Sequence, residues 1–238
     1  MKLALITFIV FYSCIAIGII YQYLLIHTKL LDRIRLRNHP ANPIRVRQHM
    51  KLVTINLCIL AGLIFISLAP FSHLFSITTP SLWLGISQFL IIIVLDDIGF
   101  YVWHRMLDEN RFLLRKIHVI HHQARYPAPL EFIYAHPVEW MVGSAGLVVG
   151  IIINIHIFGT MNAYVLWAYG IFRTLHELDL HSSTRSIFCK YIPLVANVKH
   201  HDVHHLRAIG NYASTFTYLD KLLRTETKTF LEKTQPKT

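Results

Sequence analysis

The chain has 238 residues and little charge: Asp, Glu, Lys and Arg make up 15% of it, and 13 acids face 23 Lys and Arg. An ordinary soluble domain carries more charge than this, so that class is excluded. Cysteine is scarce. Cys14, Cys58 and Cys189 stand far apart and form no CxxC pair. That excludes a disulfide framework and a cysteine-rich zinc knuckle, and leaves the redox compartment open. No GxGxxG fingerprint and no CxxCH occurs, so neither a dinucleotide fold nor covalent haem attachment is signalled. Internal repeats and low-complexity tracts are also missing. The basic residues do not interleave with aromatics on one polar face. The net charge of +10 therefore points to a membrane surface rather than to nucleic acid.

What the chain has in excess is apolar sequence, with 54% hydrophobic residues. The first 27 residues contain one charge, Lys2. Ala16-Ile17-Gly18 resembles a cleavage site, but the apolar run continues to Ile26. A secretory core is about 7–15 residues long, whereas about 20 residues span a bilayer, so a retained span is expected. Further apolar stretches cover Leu52–Phe71, Leu82–Trp103 and Val138–Phe158. Met161–Leu175 is shorter, and is either a fifth span or a return hairpin. The connection Lys29–Lys51 is strongly basic and contains Pro40 and Pro43, which mark a loop. Ser72–Ser81 has no charge, and Arg105–Arg125 is basic again. The bias of Lys and Arg towards the cytosol places the two basic connections there, where they meet lipid headgroups.

The expected fold class is all-α: a polytopic membrane bundle of four to five apolar spans with a cytosolic, histidine-rich helical cap. Its expected parts are residues 1–95, the N-terminal spans and basic loop; 96–226, a histidine-rich domain; and 227–238, a polar tail. The membrane is either the endoplasmic reticulum or a bacterial inner membrane.

The histidines are distributed unevenly. His118, His121 and His122 form HxxHH, and so do His201, His204 and His205. On a helix, positions i, i+3 and i+4 share a face, so each triplet is expected to aim its imidazoles one way. His104 ends the third apolar stretch, and His136, His176, His181 and His200 lie between the triplets or beside them. Clustered imidazoles repel if protonated and need a shared acceptor of lone pairs if neutral. A divalent transition metal is such an acceptor, and this many donors suit two ions. Imidazole alone does not choose between zinc, iron, copper and nickel.

Five segments taken in order resemble a known family. They are DDIGFYVWHR (Asp96–Arg105), the two HxxHH boxes, APLEFIYAHPVEW (Ala128–Trp140) and GNYASTFTYLDKLLRTE (Gly210–Glu226). Together they are similar to the fatty acid hydroxylase/sterol desaturase superfamily of membrane histidine-rich di-iron oxidases, and most to its sterol C4-methyl monooxygenases. The resemblance runs from Asp96 to Glu226. It implies two iron ions, with zinc as a possible substitute, and oxygen-dependent hydroxylation or desaturation of a lipid. The implied substrate is a sterol C4-methyl group, a fatty acyl chain or an isoprenoid. The implied electron donor is a separate protein such as a cytochrome b5 or a ferredoxin. The metal ligands implied are His104, His118, His121, His122, His181, His201, His204 and His205. His176 is either a ligand or a capping residue, because it stands five residues from His181 instead of the family's four. His136 is either a ligand or a support for one. Asp97 is expected to orient a ligand imidazole, or else to be an acid reaching for the interface.

Two departures from the family pattern stand out. Its first box is HxxxH, whereas this chain has Asp108 four residues after His104, and the interval from His104 to His118 is one residue longer than in the family. Asp108 is then a carboxylate ligand, or a surface residue with one ligand missing. The second case would make the chain an altered member that binds metal or lipid without turnover.

Overall fold

The computed structural model describes residues 1–36, 41–186 and 194–227. The tail beyond residue 227, Cys189, and Arg37 and Pro40 of the basic connection lie outside the described residues. The helices are α1 (Lys2–His27), α2 (Pro43–Leu68), α3 (Leu82–Glu109), α4 (Arg111–Leu113), α5 (Val119–His122), α6 (Pro137–Gly143), α7 (Ala145–Phe158), α8 (Ala163–Leu180), α9 (Val198–Arg207) and α10 (Tyr218–Leu222). A π-helical turn, Leu114–His118, joins α4 to α5, and a 3-10 turn covers Pro129–Ile133.

Four helical stretches are long and apolar enough to cross a membrane: α1, α2, α3 and the pair α6–α7. Ile20, Ile66 and Ile152 point outward from three of them and are more than half exposed, as expected where lipid is the solvent. The basic connection is shorter than expected. Asn42 caps α2 by accepting the N–H groups of Ile44 and Arg45, and Pro43 fills the first helical turn. Both residue types suit a helix start, so Arg45, Arg47 and Lys51 lie on the helix. The fourth apolar stretch is broken at Ser144, between α6 and α7.

The fifth stretch becomes α8, which extends to Leu180 and falls outside the four apolar candidates. It starts beside a short parallel strand pair, β1 (Phe75–Ser76) with β2 (Met161–Asn162), and ends at the histidines. It packs on α1 and α3, and Tyr169, Val165 and Leu166 enter a core with Ile92 and Ile93 of α3. A helix screened by its neighbours can carry Arg173, His176, Glu177 and Asp179, as lipid-facing helices cannot.

Glycine sets the closest helix contact. A Cβ on Gly146 would lie 2.5 Å from the Leu95 carbonyl oxygen and 2.6 Å from the Asp96 Cα, and one on Gly150 would lie 3.0 Å from the Ile92 Cα. Gly146 and Gly150 thus form a GxxxG seam that lets α7 sit against the α3 backbone. At the same level Asp96 accepts the Leu147 N–H (3.0 Å), which starts α7 after its break, and pairs with Arg173 and the Tyr169 hydroxyl. An intramembrane carboxylate is costly unless it is paired, and this one is.

Gly146→Leu should force α3 and α7 apart and lower stability by about 1–3 kcal/mol or more, read as a lower unfolding temperature in detergent. Gly62→Leu, where nothing lies within 4 Å of the added Cβ, should leave that temperature nearly unchanged.

Candidate metal centre

Two groups of four buried donors face each other at the end of the bundle. One is His104, Asp108, His118 and His204; the other is His121, His181, His201 and His205. Within each group the donor atoms lie within 4.8 Å of one another. His122 adjoins the first group, with Nε2 3.6 Å from Asp108 Oδ1.

The HxxHH boxes do not each aim one way. His118 and His122 turn to the first group and His121 to the second; His201 and His205 turn to the second and His204 to the first. The helix explains the split. At 3.6 residues per turn, position i+3 lies about 60° to one side of i, and i+4 about 40° to the other. One box thereby contributes donors to both groups.

The interval from His104 to His118, expected to be one residue longer than in the family, contains the π turn Leu114–His118. A π turn accommodates one extra residue within a helix. It delivers the His118 Nε2 to 3.6 Å from Asp108 Oδ1. Asp108 is not a surface residue. It is 8% exposed, and its Oδ2 stands 3.9 Å from His104 Nε2 and 3.7 Å from His204 Nε2.

The tautomers follow from the backbone. His104, His121, His181 and His204 donate from Nδ1 to the carbonyls of Tyr212 (2.8 Å), Tyr134 (3.1 Å), Glu177 (2.9 Å) and Gly210 (2.9 Å). A carbonyl only accepts, so in the neutral ring Nε2 keeps its lone pair and aims it inward. His118 Nδ1 pairs with Glu139 Oε1 at 2.9 Å. In the second group, Nε2 of His201 lies 3.0 Å from those of His181 and His205, and the Nε2 atoms of His121 and His181 are 3.5 Å apart.

Lone pairs held face to face repel unless a cation stands between them. In the first group both Asp108 oxygens and Nε2 of His118, His122 and His204 are buried without a hydrogen-bond partner. Donors about 2.1 Å from one ion are separated by roughly 3–3.5 Å, close to the spacings here. The donor sets therefore fit a divalent transition metal in each group.

The other expected residues fall elsewhere. His176 donates from Nε2 to the Ser214 carbonyl (2.8 Å), and His136 accepts the Val138 N–H (3.2 Å) at the start of α6. Both stand outside the two groups. Asp97 does not orient an imidazole and does not reach for the interface. It is 2% exposed, and its Oδ1 accepts the Phe216 N–H (3.0 Å), which ties α3 to the loop after α9. The carboxylates behind the site are instead Glu139, Glu177 beside His181, and Asp220 beside His200 (3.2 Å). Sequence reasoning did not select these three. Glu139 was within reach, because it follows a motif histidine at the start of a helix.

Burial, and then the neighbouring imidazoles, hold His118, His121, His201, His204 and His205 well below the ordinary histidine range. Burial lowers His181 as well, against the pull of Glu177. These rings are neutral donors.

An apolar helical bundle closed by two buried clusters of imidazole and carboxylate defines an integral membrane protein with two metal-type sites. It belongs to the fatty acid hydroxylase family, whose model matches residues 89–225. Among curated relatives, methylsterol monooxygenase 1 of Rattus norvegicus is 36% identical over 135 residues, 56% of this chain and 44% of that protein. Methylsterol monooxygenase erg25B of Aspergillus fumigatus is 32% identical over 163 residues, 66% of this chain and 55% of that protein. The very-long-chain aldehyde decarbonylase GL1-11 of Oryza sativa is 30% identical over 186 residues, 74% and 67% of the two chains. The match thus spans about half the length of the methylsterol monooxygenases. No solved structure matches.

The lowered imidazoles set a pH dependence. An unfolded histidine titrates near about 6.5, so below that pH the unfolded chain binds protons that the folded one refuses, and the fold loses stability as pH falls. Metal-stripped protein should melt at a lower temperature at about pH 5.5 than at about pH 7.5. Equal melting temperatures would contradict buried neutral rings.

Proposed function

We propose that the chain is a membrane-bound, oxygen-dependent oxidoreductase that hydroxylates a lipid C–H bond at a di-iron centre, with a sterol C4-methyl group as its substrate. One observation carries this reading. A cavity of about 210 Å³ reaches His104 of the first group and His121, His181 and His201 of the second. Phe11, Leu60, Phe100, Trp103 and Leu147 of the membrane helices line it. An apolar cavity that ends on both donor groups suits a lipid whose reacting carbon has to approach two ions. The relatives named methylsterol monooxygenase support the substrate class.

In this reading His104, Asp108, His118 and His204 hold one ion, with His122 beside them, and His121, His181, His201 and His205 hold the other. Bound there, the irons supply the oxygen and redox chemistry that side chains lack. The chain's own residues orient and exclude. Backbone carbonyls fix the imidazoles, Glu139 steadies His118, and the apolar walls keep bulk water from the reacting carbon. Electrons come from a separate donor protein of the cytochrome b5 or ferredoxin type, since this sequence has no nucleotide or haem fingerprint. The histidine end faces the cytosol, as the basic connections around it imply.

Detergent-purified protein should contain about two irons per chain and convert a 4-methyl sterol only with oxygen and a donor. A folded chain that takes up no iron would overturn the metal reading. Turnover of a fatty acyl chain or an aldehyde in place of the sterol would overturn the substrate. Asp108→Ala should weaken the first ion by more than about 100-fold and abolish turnover, while Asp108→His should retain metal. Full iron content in Asp108→Ala would remove Asp108 from the ligand set.

A further inference from the structure

The carbonyls that aim the imidazoles come from three separate parts of the chain; that of Glu177, which orients His181, is held within α8, and the other two parts need support from elsewhere. For the first group, His104 and His204 donate to Tyr212 and Gly210. Both carbonyls belong to an irregular segment in which Ala208, Gly210 and Asn211 have positive φ. Asn211 ties it to the His200 carbonyl of α9 (3.0 Å) and to Thr225 and Thr227, and Asp220 holds the Tyr212 end. Oδ1 accepts the Tyr212 N–H (3.0 Å) and the Thr225 hydroxyl (2.7 Å), and Oδ2 accepts the Ala213 N–H (3.0 Å). Asp220 is fully buried.

For the second group, His121 donates to Tyr134. Here the support comes from α2, which lies outside the family match. Asn56 donates to the carbonyls on either side of that of Tyr134, those of Ile133 (2.8 Å) and Ala135 (2.9 Å). Two turns nearer the start of α2, the His49 ring lies flat on the Tyr134 ring, 3.7 Å between centroids and 5° between planes. Arg45 and His49 also bind Glu131, whose carboxylate accepts the Ala128 N–H (2.7 Å).

We infer that Asp220 and Asn56 are positioning residues for different ions: Asp220 acts through Gly210 and Tyr212 on the first position, Asn56 through Tyr134 on the second, and either position can be emptied while the other is kept. This rests on the two-metal reading above. The physical reason is that a ligand imidazole without its carbonyl loses both its tautomer and its aim, which costs about 10–100-fold in metal affinity. It also assigns α2 a role beyond anchoring: it completes the second position.

The test uses the full chain in detergent, titrated with ferrous iron without oxygen, with iron per chain measured and the sample checked for monodispersity and helix content. Asp220→Asn keeps the shape but turns one acceptor into a donor, and Asn56→Leu removes both donors to the loop. At iron levels about tenfold above the wild-type midpoint, each variant should hold one ion where the wild type holds two. Adding His121→Ala to Asp220→Asn should remove the remaining ion, and adding His104→Ala should not; for Asn56→Leu the pattern should reverse. A general folding defect would not produce this crossed pattern. If Asp220→Asn is not monodisperse, Thr225→Val, which removes one bond to Asp220, should shift the first position alone, and the Asn56 arm stands independently. Loss of both ions, of neither, or of the wrong one overturns the inference. A wild-type chain that takes up no iron pair overturns the two-metal reading instead, so the two failures are distinct.

Discussion

The structure depends on one constraint, the fixing of neutral imidazoles by backbone carbonyls. Each of these hydrogen bonds consumes the Nδ1 proton and leaves the Nε2 lone pair facing its neighbours. A buried polar group without a partner costs about 1–3 kcal/mol, and both groups contain such atoms. The fold tolerates that cost by surrounding the cluster with regular structure: α3 and α8 deliver it from the membrane side, and α5 and α9 close it from the other. Everything else can be understood as the means of holding those carbonyls still.

Those means are paired polar groups in places where lipid would not permit single ones. Asp96 and Arg173 neutralise each other where α3 meets α8, and the same carboxylate starts α7. Asp97, one residue on, fastens the loop after α9. The GxxxG seam of α7 brings its backbone near enough for Asp96 to reach it. Two adjacent acids in an apolar helix thus point to different partners, and both stabilise the scaffold around the donors.

The sequence revealed the gross plan. Apolar length located the spans. The spacing of His118, His121 and His122, repeated at His201, His204 and His205, located the donors. It did not reveal how the donors are shared. A box read as one face ignores the angle that separates i+3 from i+4, and only the facing box shows that the angle is used. The interval from His104 to His118 was visible as one residue too long, with no sign of the π turn it contains. Asp108 was ambiguous because burial, which decides between ligand and surface residue, depends on His204 far along the chain. Glu131 and Asp220 were silent for the same reason: each acts on a partner that only folding brings near. The same holds for Asn56, an isolated amide in an apolar helix whose two carbonyl partners lie beyond the third span.

The crossing of the two HxxHH segments bears on how the protein is made. Neither donor group belongs to one stretch of chain: the first lacks His204, and the second lacks His201 and His205, until the ribosome has passed the last helix before the irregular loop. The spans, by contrast, can enter the bilayer as they emerge. On the two-metal reading proposed above, metal capture is therefore a late event in biogenesis, separated in time from insertion, and an ion at either position would act as a clasp between early and late segments. A chain interrupted before residue 205 would reach the membrane with its helices in place and its first histidines open to adventitious metal or oxidation.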